Sequence, residues 1–193
     1  TNIFAGGTTN TERGFLTGFL NQENFRSDVY SHVWYLLSQG FSTSGSHPCY
    51  DWFYNRLNIN SYLGFQEYYF LENHYSELAG GEIAYDDIFF PELTQLLEEE
   101  FTENAPSFSF SITYQGHGPY DSDVLWWPAC VEDEGYSEET WYIMNNYFGS
   151  VSNTIENITA MVDKLRQCEE PVVLLLFGDH KPWFGDSNSV YAE

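Results

Sequence analysis

The stretch Pro171-Val172-Val173-Leu174-Leu175-Leu176-Phe177-Gly178-Asp179-His180 decides the reading of this chain. An unbroken apolar run bounded by Pro and Gly reads as a parallel strand buried on both faces, the kind found in sheets covered by helices on both sides. Upstream, Ser137 to Leu165 is the longest helical region, with Val151, Ile155, Ile158, Val162 and Leu165 at helical spacing. Phe108, Phe110 and Ile112 alternate with serines, a half-buried strand signature. Asp86 to Phe101 reads as a helix with Ile88, Leu93, Leu96 and Leu97 facing inward, and a shorter helix is expected near Tyr50 to Leu57. Phe41 to His47 reads as a short strand. A helix capped by Asp28 carries Val29, Val33, Leu36 and Leu37 and stops at Gly40. Thr8 to Leu20 is a helix entered through Ala5-Gly6-Gly7, with Phe15, Leu16, Phe19 and Leu20 as its apolar stripe. Helices alternating with strands imply one α/β layered domain over residues 1–193. The acidic stretch Glu132 to Glu139 reads as a solvated loop.

Composition narrows the function. The chain of 193 residues has six Lys and Arg against 29 Asp and Glu, a formal net charge of −23. Six basic residues cannot neutralise a nucleic-acid backbone, and no polybasic patch exists to hold an anionic bilayer. Aromatic residues make up 19% of the chain, enough to build a core and exclude a disordered tail. Cys49, Cys130 and Cys168 have no zinc spacing; one bridge plus a free thiol and three thiols both remain open. No run of about 18 apolar residues is present to span a membrane. The first residue is Thr1, which suggests a processed chain or an excised piece.

In open α/β sheets ligands gather beyond the carboxyl ends of the strands. The apolar run exits into Gly178-Asp179-His180, the Phe108 strand into Thr113-Tyr114-Gln115-Gly116-His117-Gly118-Pro119, and the first helix opens at Gly6-Gly7-Thr8-Thr9, so all three are candidates for one edge. Asp179 and His180 offer an oxygen and a nitrogen suited to manganese or zinc, and less to magnesium. Taken alone, the pair also reads as a turn Asp beside a surface His. Thr8 sits where helix N–H groups and dipole favour an anion, and its hydroxyl becomes a nucleophile if a divalent cation touches it; alone, it reads as an ordinary N-cap. Arg56 can grip two phosphate oxygens or pair with one of the many carboxylates. His47 and His117 can give protons or hydrogen bonds to an oxyanion. Trp126 and Trp127 beside Pro128 form a candidate exposed wall.

These segments in order, Gly6-Gly7-Thr8-Thr9-Asn10-Thr11-Glu12 with Leu16-Thr17-Gly18, His47 through Tyr54-Asn55-Arg56 to Leu63-Gly64-Phe65, His117-Gly118-Pro119-Tyr120 and Phe177-Gly178-Asp179-His180, resemble the sulfatase-like phosphoglycerol transferases of the lipoteichoic acid synthase family. The resemblance implies an alkaline-phosphatase-like α/β/α sandwich on the outer face of a bacterial membrane, anchored by transmembrane helices outside this chain. It implies Thr8 as nucleophile, a manganese ion (with magnesium or zinc as substitutes) held by Thr8, Asp179 and His180, and His47, Arg56 and His117 near the substrate phosphate. A phosphatidylglycerol-type lipid would be the donor, and a glycolipid or teichoic polymer the acceptor. Tyr54 stands where the family often has tryptophan. The family's fourth metal ligand, an acid ending a strand upstream of the threonine, has no counterpart here. The expectation is therefore a sandwich incomplete at both ends, weak activity of the fragment, and a bare sheet edge able to pair two copies. Transfer of phosphoethanolamine or another phospho group, hydrolysis, and non-catalytic glycerophosphate binding are the rival readings. Sulfatase activity fits less well, since a threonine stands where a formylglycine precursor is needed.

Overall fold

A computed structural model describes residues 6–19, 25–101, 106–184 and 190. Its centre is a parallel three-stranded sheet, β1 (Ser42–Ser46), β2 (Glu67–Tyr69) and β3 (Ser107–Ser111), in the order β2-β1-β3. Ser46 lies opposite Tyr69 on one side and Ser111 on the other, so the three carboxyl ends share one edge. β1 is Ser-Thr-Ser-Gly-Ser, with no large apolar residue, yet it is the buried central strand. Its hydroxyls are satisfied across the fold: Thr43 Oγ1 donates to the Gly64 carbonyl (2.9 Å), and Ser46 Oγ bonds Tyr75 Oη (2.5 Å). Gly45 is needed for space, because a Cβ there would collide with the Tyr68 ring and lie 2.7 Å from the Phe110 carbonyl oxygen.

Helices cover both faces, giving an α/β/α arrangement. One layer holds α1 (Thr8–Thr17), α2 (His32–Ser38) and α3 (Arg56–Leu63), which bury Leu16, Val33, Ile59 and Leu63 against Phe65 and Phe110. The other joins a π-turn (Leu71–Tyr75), the short α4 (Ser76–Leu78), α5 (Asp86–Phe101) and α6 (Glu138–Leu165) around Tyr75, Phe89, Phe90, Leu93, Met161 and Leu165. The bounds of α5 coincide with the sequence expectation. α6 begins after Ser137, whose hydroxyl caps the Thr140 N–H (3.2 Å). Ile155, expected on its inner face, is 57% exposed.

Four expectations are corrected. The cap of α2 is Ser31, not Asp28: its hydroxyl accepts from the Trp34 N–H (3.0 Å) while donating to the Leu63 carbonyl, which fixes it by two bonds instead of one. The first helix stops at Gly18 (φ 76°), leaving Phe19 exposed, and Leu20 lies outside the described residues. The helix expected near Tyr50 starts only at Arg56, because Tyr54 and Asn55, within the 3₁₀ turn Phe53–Asn55, are both left-handed (φ 58° and 56°) and break the chain direction. Finally, Pro171–Phe177 is not a buried strand. It makes no ladder bonds among the described residues, and Val173 is 96% exposed. A strand needs a hydrogen-bonded neighbour, and at the end of this run the Phe177 ring meets Phe15 (4.9 Å) and Phe110 (6.4 Å). The three cysteines are free thiols.

The loop after β3 is stapled to the helical layer by Gln115, which accepts from the Asp86 N–H (3.2 Å) and donates to the Ser150 carbonyl (3.2 Å) and Asn153 Oδ1 (2.8 Å). Asp86 is fully buried, with one carboxyl oxygen accepting from Thr154 (2.5 Å) and the other without a partner among the described residues. Burial pushes its carboxyl up to about 6, which the Thr154 bond only partly opposes. The folded state therefore holds the proton that the unfolded chain releases near pH 4, and ionising Asp86 costs stability as pH rises from about 4 to about 6. Asp86→Asn is expected to gain about 2 kcal/mol over the wild type above pH 6, with the gain fading to nothing near pH 4. Denaturant midpoints of the two proteins across that range test it. Taking the difference cancels contributions common to both, including that of His47, which has the opposite sign.

Candidate active site

Thr8 is the first residue of α1, behind Gly7 at the N-cap (φ 96°), a conformation that suits glycine. No side chain caps this terminus, so Thr8 is not the N-cap that its type suggests. Its hydroxyl instead donates to Asp179 Oδ2 (2.5 Å), and Thr11 Oγ1 donates to the Asp179 carbonyl (2.9 Å). The same Oδ2 lies 3.4 Å from His180 Nε2. His180 Nδ1 faces the Lys181 carbonyl (2.8 Å), so that nitrogen carries a hydrogen and donates it there. Hydroxyl, carboxylate and imidazole thus meet around one oxygen, although 171 residues separate Thr8 from Asp179.

His47 follows β1 and is 4% exposed. Its backbone N–H bonds the Tyr69 carbonyl (2.8 Å), and its Nδ1 donates to the Ile112 carbonyl (3.1 Å), tying the ends of all three strands together. Burial, aided by the Arg56 charge, pulls the imidazole down to about 3. His47 is therefore neutral in the free protein, with Nε2 an acceptor. That suits a hydroxyl group better than the oxyanion expected from sequence.

Arg56 opens α3 and is 3% exposed. Of the two sequence readings, the carboxylate partner is the one the structure shows. Its Nη2 pairs with Glu12 Oε1 (2.6 Å) and Nε reaches Oε2 (3.4 Å), while Nη1 is buried without a partner among the described residues. Its guanidinium lies over the Tyr54 ring, 5.4 Å from the centroid. Glu12, which sequence reasoning passed over, sits one turn beyond Thr8 on the same face of α1. The Thr8-to-Glu12 spacing was the available signal, but one acid among 29 gave no reason to choose it. His117 is exposed, stacked flat on Tyr114 (5.5 Å, 2°), with Nδ1 bonded to the Gly118 carbonyl before a cis Gly118–Pro119 bond. Trp126 is 67% exposed, whereas Trp127 packs against Gly149 of α6.

Asp179, His180 and the Thr8 hydroxyl offer an O, N, O donor set that fits manganese or zinc chemistry. Among the described residues no group of three His, Cys, Asp or Glu side chains comes together, so Thr8 is needed to complete even three donors. Also among the described residues, no helix is long and apolar enough to cross a membrane.

The family model described as Sulfatase matches residues 1–191. The chain belongs to the sulfatase family. It is also 26% identical, over 98% of its length, to a Rhizobium meliloti (strain 1021) protein whose name links it to cyclic beta-1,2-glucan modification. Three solved structures share the sulfatase-like fold. The Streptococcus pyogenes phosphoglycerol transferase GacH, in complex with sn-glycerol-1-phosphate, is similar at a TM-score of 0.71 and 22% identity over 96% of this chain. The lipoteichoic acid synthase LtaP of Listeria monocytogenes follows at 0.68 and 19% over 86%. A Vibrio parahaemolyticus protein of the alkaline phosphatase superfamily gives 0.60 and 15% over 87%. The chain spans 30% of the Rhizobium protein and 51%, 41% and 41% of the three structures in that order.

Proposed function

We propose that this chain is catalytic-domain sequence of a metal-dependent phosphoglycerol transferase that moves glycerol phosphate from a phosphatidylglycerol-type lipid to a sugar-containing acceptor, through a phospho-threonine on Thr8. The single observation that carries the reading is the Thr8 hydroxyl donating at 2.5 Å to the carboxylate of the Asp179-His180 pair. The likeness to two proteins whose names describe phosphoglycerol transfer and lipoteichoic acid synthesis supports it. A divalent cation, manganese with magnesium or zinc as substitutes, would be held by Thr8, Asp179 and His180, and would supply Lewis-acid activation and charge neutralisation when bound.

The chain's own residues account for the rest. Thr8 Oγ1 attacks phosphorus, its proton passing first to Asp179 Oδ2. The bond from phosphorus to the diacylglycerol oxygen breaks, and that oxygen takes a proton, for which the exposed His117 would be the donor. The uncapped N–H groups at the start of α1 and the spare Nη1 of Arg56 stabilise the phosphoryl oxygens. His47 Nε2 accepts a hydrogen bond from a glycerol hydroxyl. An acceptor hydroxyl then attacks phosphorus, gives its proton to His117, and Thr8 Oγ1 leaves and is reprotonated. The domain works on the outer face of the membrane, held there by anchoring segments outside these 193 residues, and an exposed sheet edge would serve for pairing two copies.

The Rhizobium relative favours a glucan as the acceptor over a teichoic polymer. With manganese present, the full-length protein is expected to release diacylglycerol from phosphatidylglycerol at least about tenfold faster than from phosphatidylethanolamine, and to leave labelled glycerol phosphate on a supplied β-glucan. Faster release from phosphatidylethanolamine moves the reading to phosphoethanolamine transfer. Release without any labelled acceptor moves it to hydrolysis.

A further inference from the structure

We propose that Glu12 is a positioning residue that fixes the guanidinium of Arg56 so that its Nη1 end alone faces the substrate phosphate; this rests on the transferase reading above. A guanidinium has five N–H donors in a rigid plane. Glu12 takes the side edge, at Nη2 (2.6 Å) and Nε (3.4 Å), and leaves the end edge. The two side chains are only 4% and 10% exposed, so water does not compete for the pair. The end left over is not solvated either: Nη1 is buried and has no described partner. A buried donor without an acceptor is costly, and such a group persists where a ligand completes it.

The surrounding turn is built around the same atom group. Tyr54 lies under the guanidinium at 5.4 Å, and its carbonyl accepts from Arg13 Nη2 (3.3 Å). Tyr54 and Asn55 are both left-handed, a conformation that a bulky aromatic adopts only when its surroundings enforce it. Consecutive residues of α1, Glu12 and Arg13, therefore hold the head of Arg56 and the turn that delivers it. Thr8 rides on the same helix one turn earlier. The distance between the attacking hydroxyl and the phosphate-gripping nitrogen is thus set by a single rigid element, with Glu12 as its link.

The test uses the full-length protein and sn-glycerol 1-phosphate as the probe, with binding measured by calorimetry and transfer by turnover. E12Q is expected to weaken probe binding about fivefold or more and to lower kcat by about 10- to 100-fold with KM changed less than threefold. In an R56K background, E12Q should cost less than a further twofold, since Glu12 acts only through the guanidinium. E12D keeps the charge but is one methylene short. It is expected to lose kcat to a similar extent with an unchanged melting temperature, and it stands in if E12Q does not fold. Wild-type binding and turnover in E12Q and E12D would overturn the inference alone, as would E12Q and R56K losses that multiply independently. Failure of wild-type protein to bind the probe in an Arg56-dependent way would overturn the transferase reading and this inference with it.

Discussion

Thr8→Ala is expected to lower transfer by about 10⁴-fold or more while leaving the fold intact, because it removes the hydroxyl proposed to carry the phospho group covalently. Thr8 is a first-turn helix residue with no capping bond to lose, and alanine suits that position. The structural cost is the single bond to Asp179, worth about 1 kcal/mol. Thr8→Ser keeps the hydroxyl but frees its χ1 rotation, and should retain a measurable fraction of the rate. Quenched reactions analysed by peptide mass spectrometry should show glycerol phosphate on the Thr8 peptide of the wild type and of Thr8→Ser, and none on Thr8→Ala. Normal product formation by a well-folded Thr8→Ala protein would end the covalent mechanism. A Thr8→Ala protein that still binds sn-glycerol 1-phosphate like the wild type would separate binding from chemistry, since Arg56 and the α1 terminus remain.

The residues that sequence could identify are those whose chemistry shows in their immediate neighbours. Gly6-Gly7 before a helical stripe marked the entry to α1, and an apolar run ending in Asp-His marked the chain's return to the same edge. Periodicity located α5 and α6 because each turns one face toward the core over most of its length, although Ile155 of the α6 stripe is exposed. Reading failed where tertiary contacts decide. The Pro171–Phe177 run has strand composition, but composition cannot supply a hydrogen-bonded neighbour. β2 is three residues long, too short for any period to emerge. Ser31 outcompetes Asp28 as a cap because the Leu63 carbonyl waits for its hydroxyl, a contact 32 residues away. Glu12 is invisible for the same reason: its meaning comes from Arg56, 44 residues on, and from the left-handed turn at Tyr54-Asn55 that no residue type there announces.

The second large effect follows from that buried pair. Arg56→Met removes the cation and leaves the Glu12 carboxylate, 10% exposed, without its partner. Breaking a buried ion pair on one side costs about 3–5 kcal/mol, more than the pair itself contributes, because the remaining charge is desolvated. Arg56→Met should therefore lower the denaturant midpoint sharply and abolish probe binding together. Arg56→Lys restores the charge and one bond to Glu12, so most stability should return. One ammonium cannot fill the Glu12 edge and the phosphate edge at once, so activity should stay low. Replacing both partners, Glu12→Leu with Arg56→Met, removes both desolvated charges and should recover most of the lost stability with no recovery of transfer. That dissociation is the decisive outcome, because it assigns the polar pair to chemistry and not to the fold. If Arg56→Met were as stable as the wild type, the pair would not be buried in solution. If the double apolar variant were active, the spare nitrogen would not be gripping phosphate.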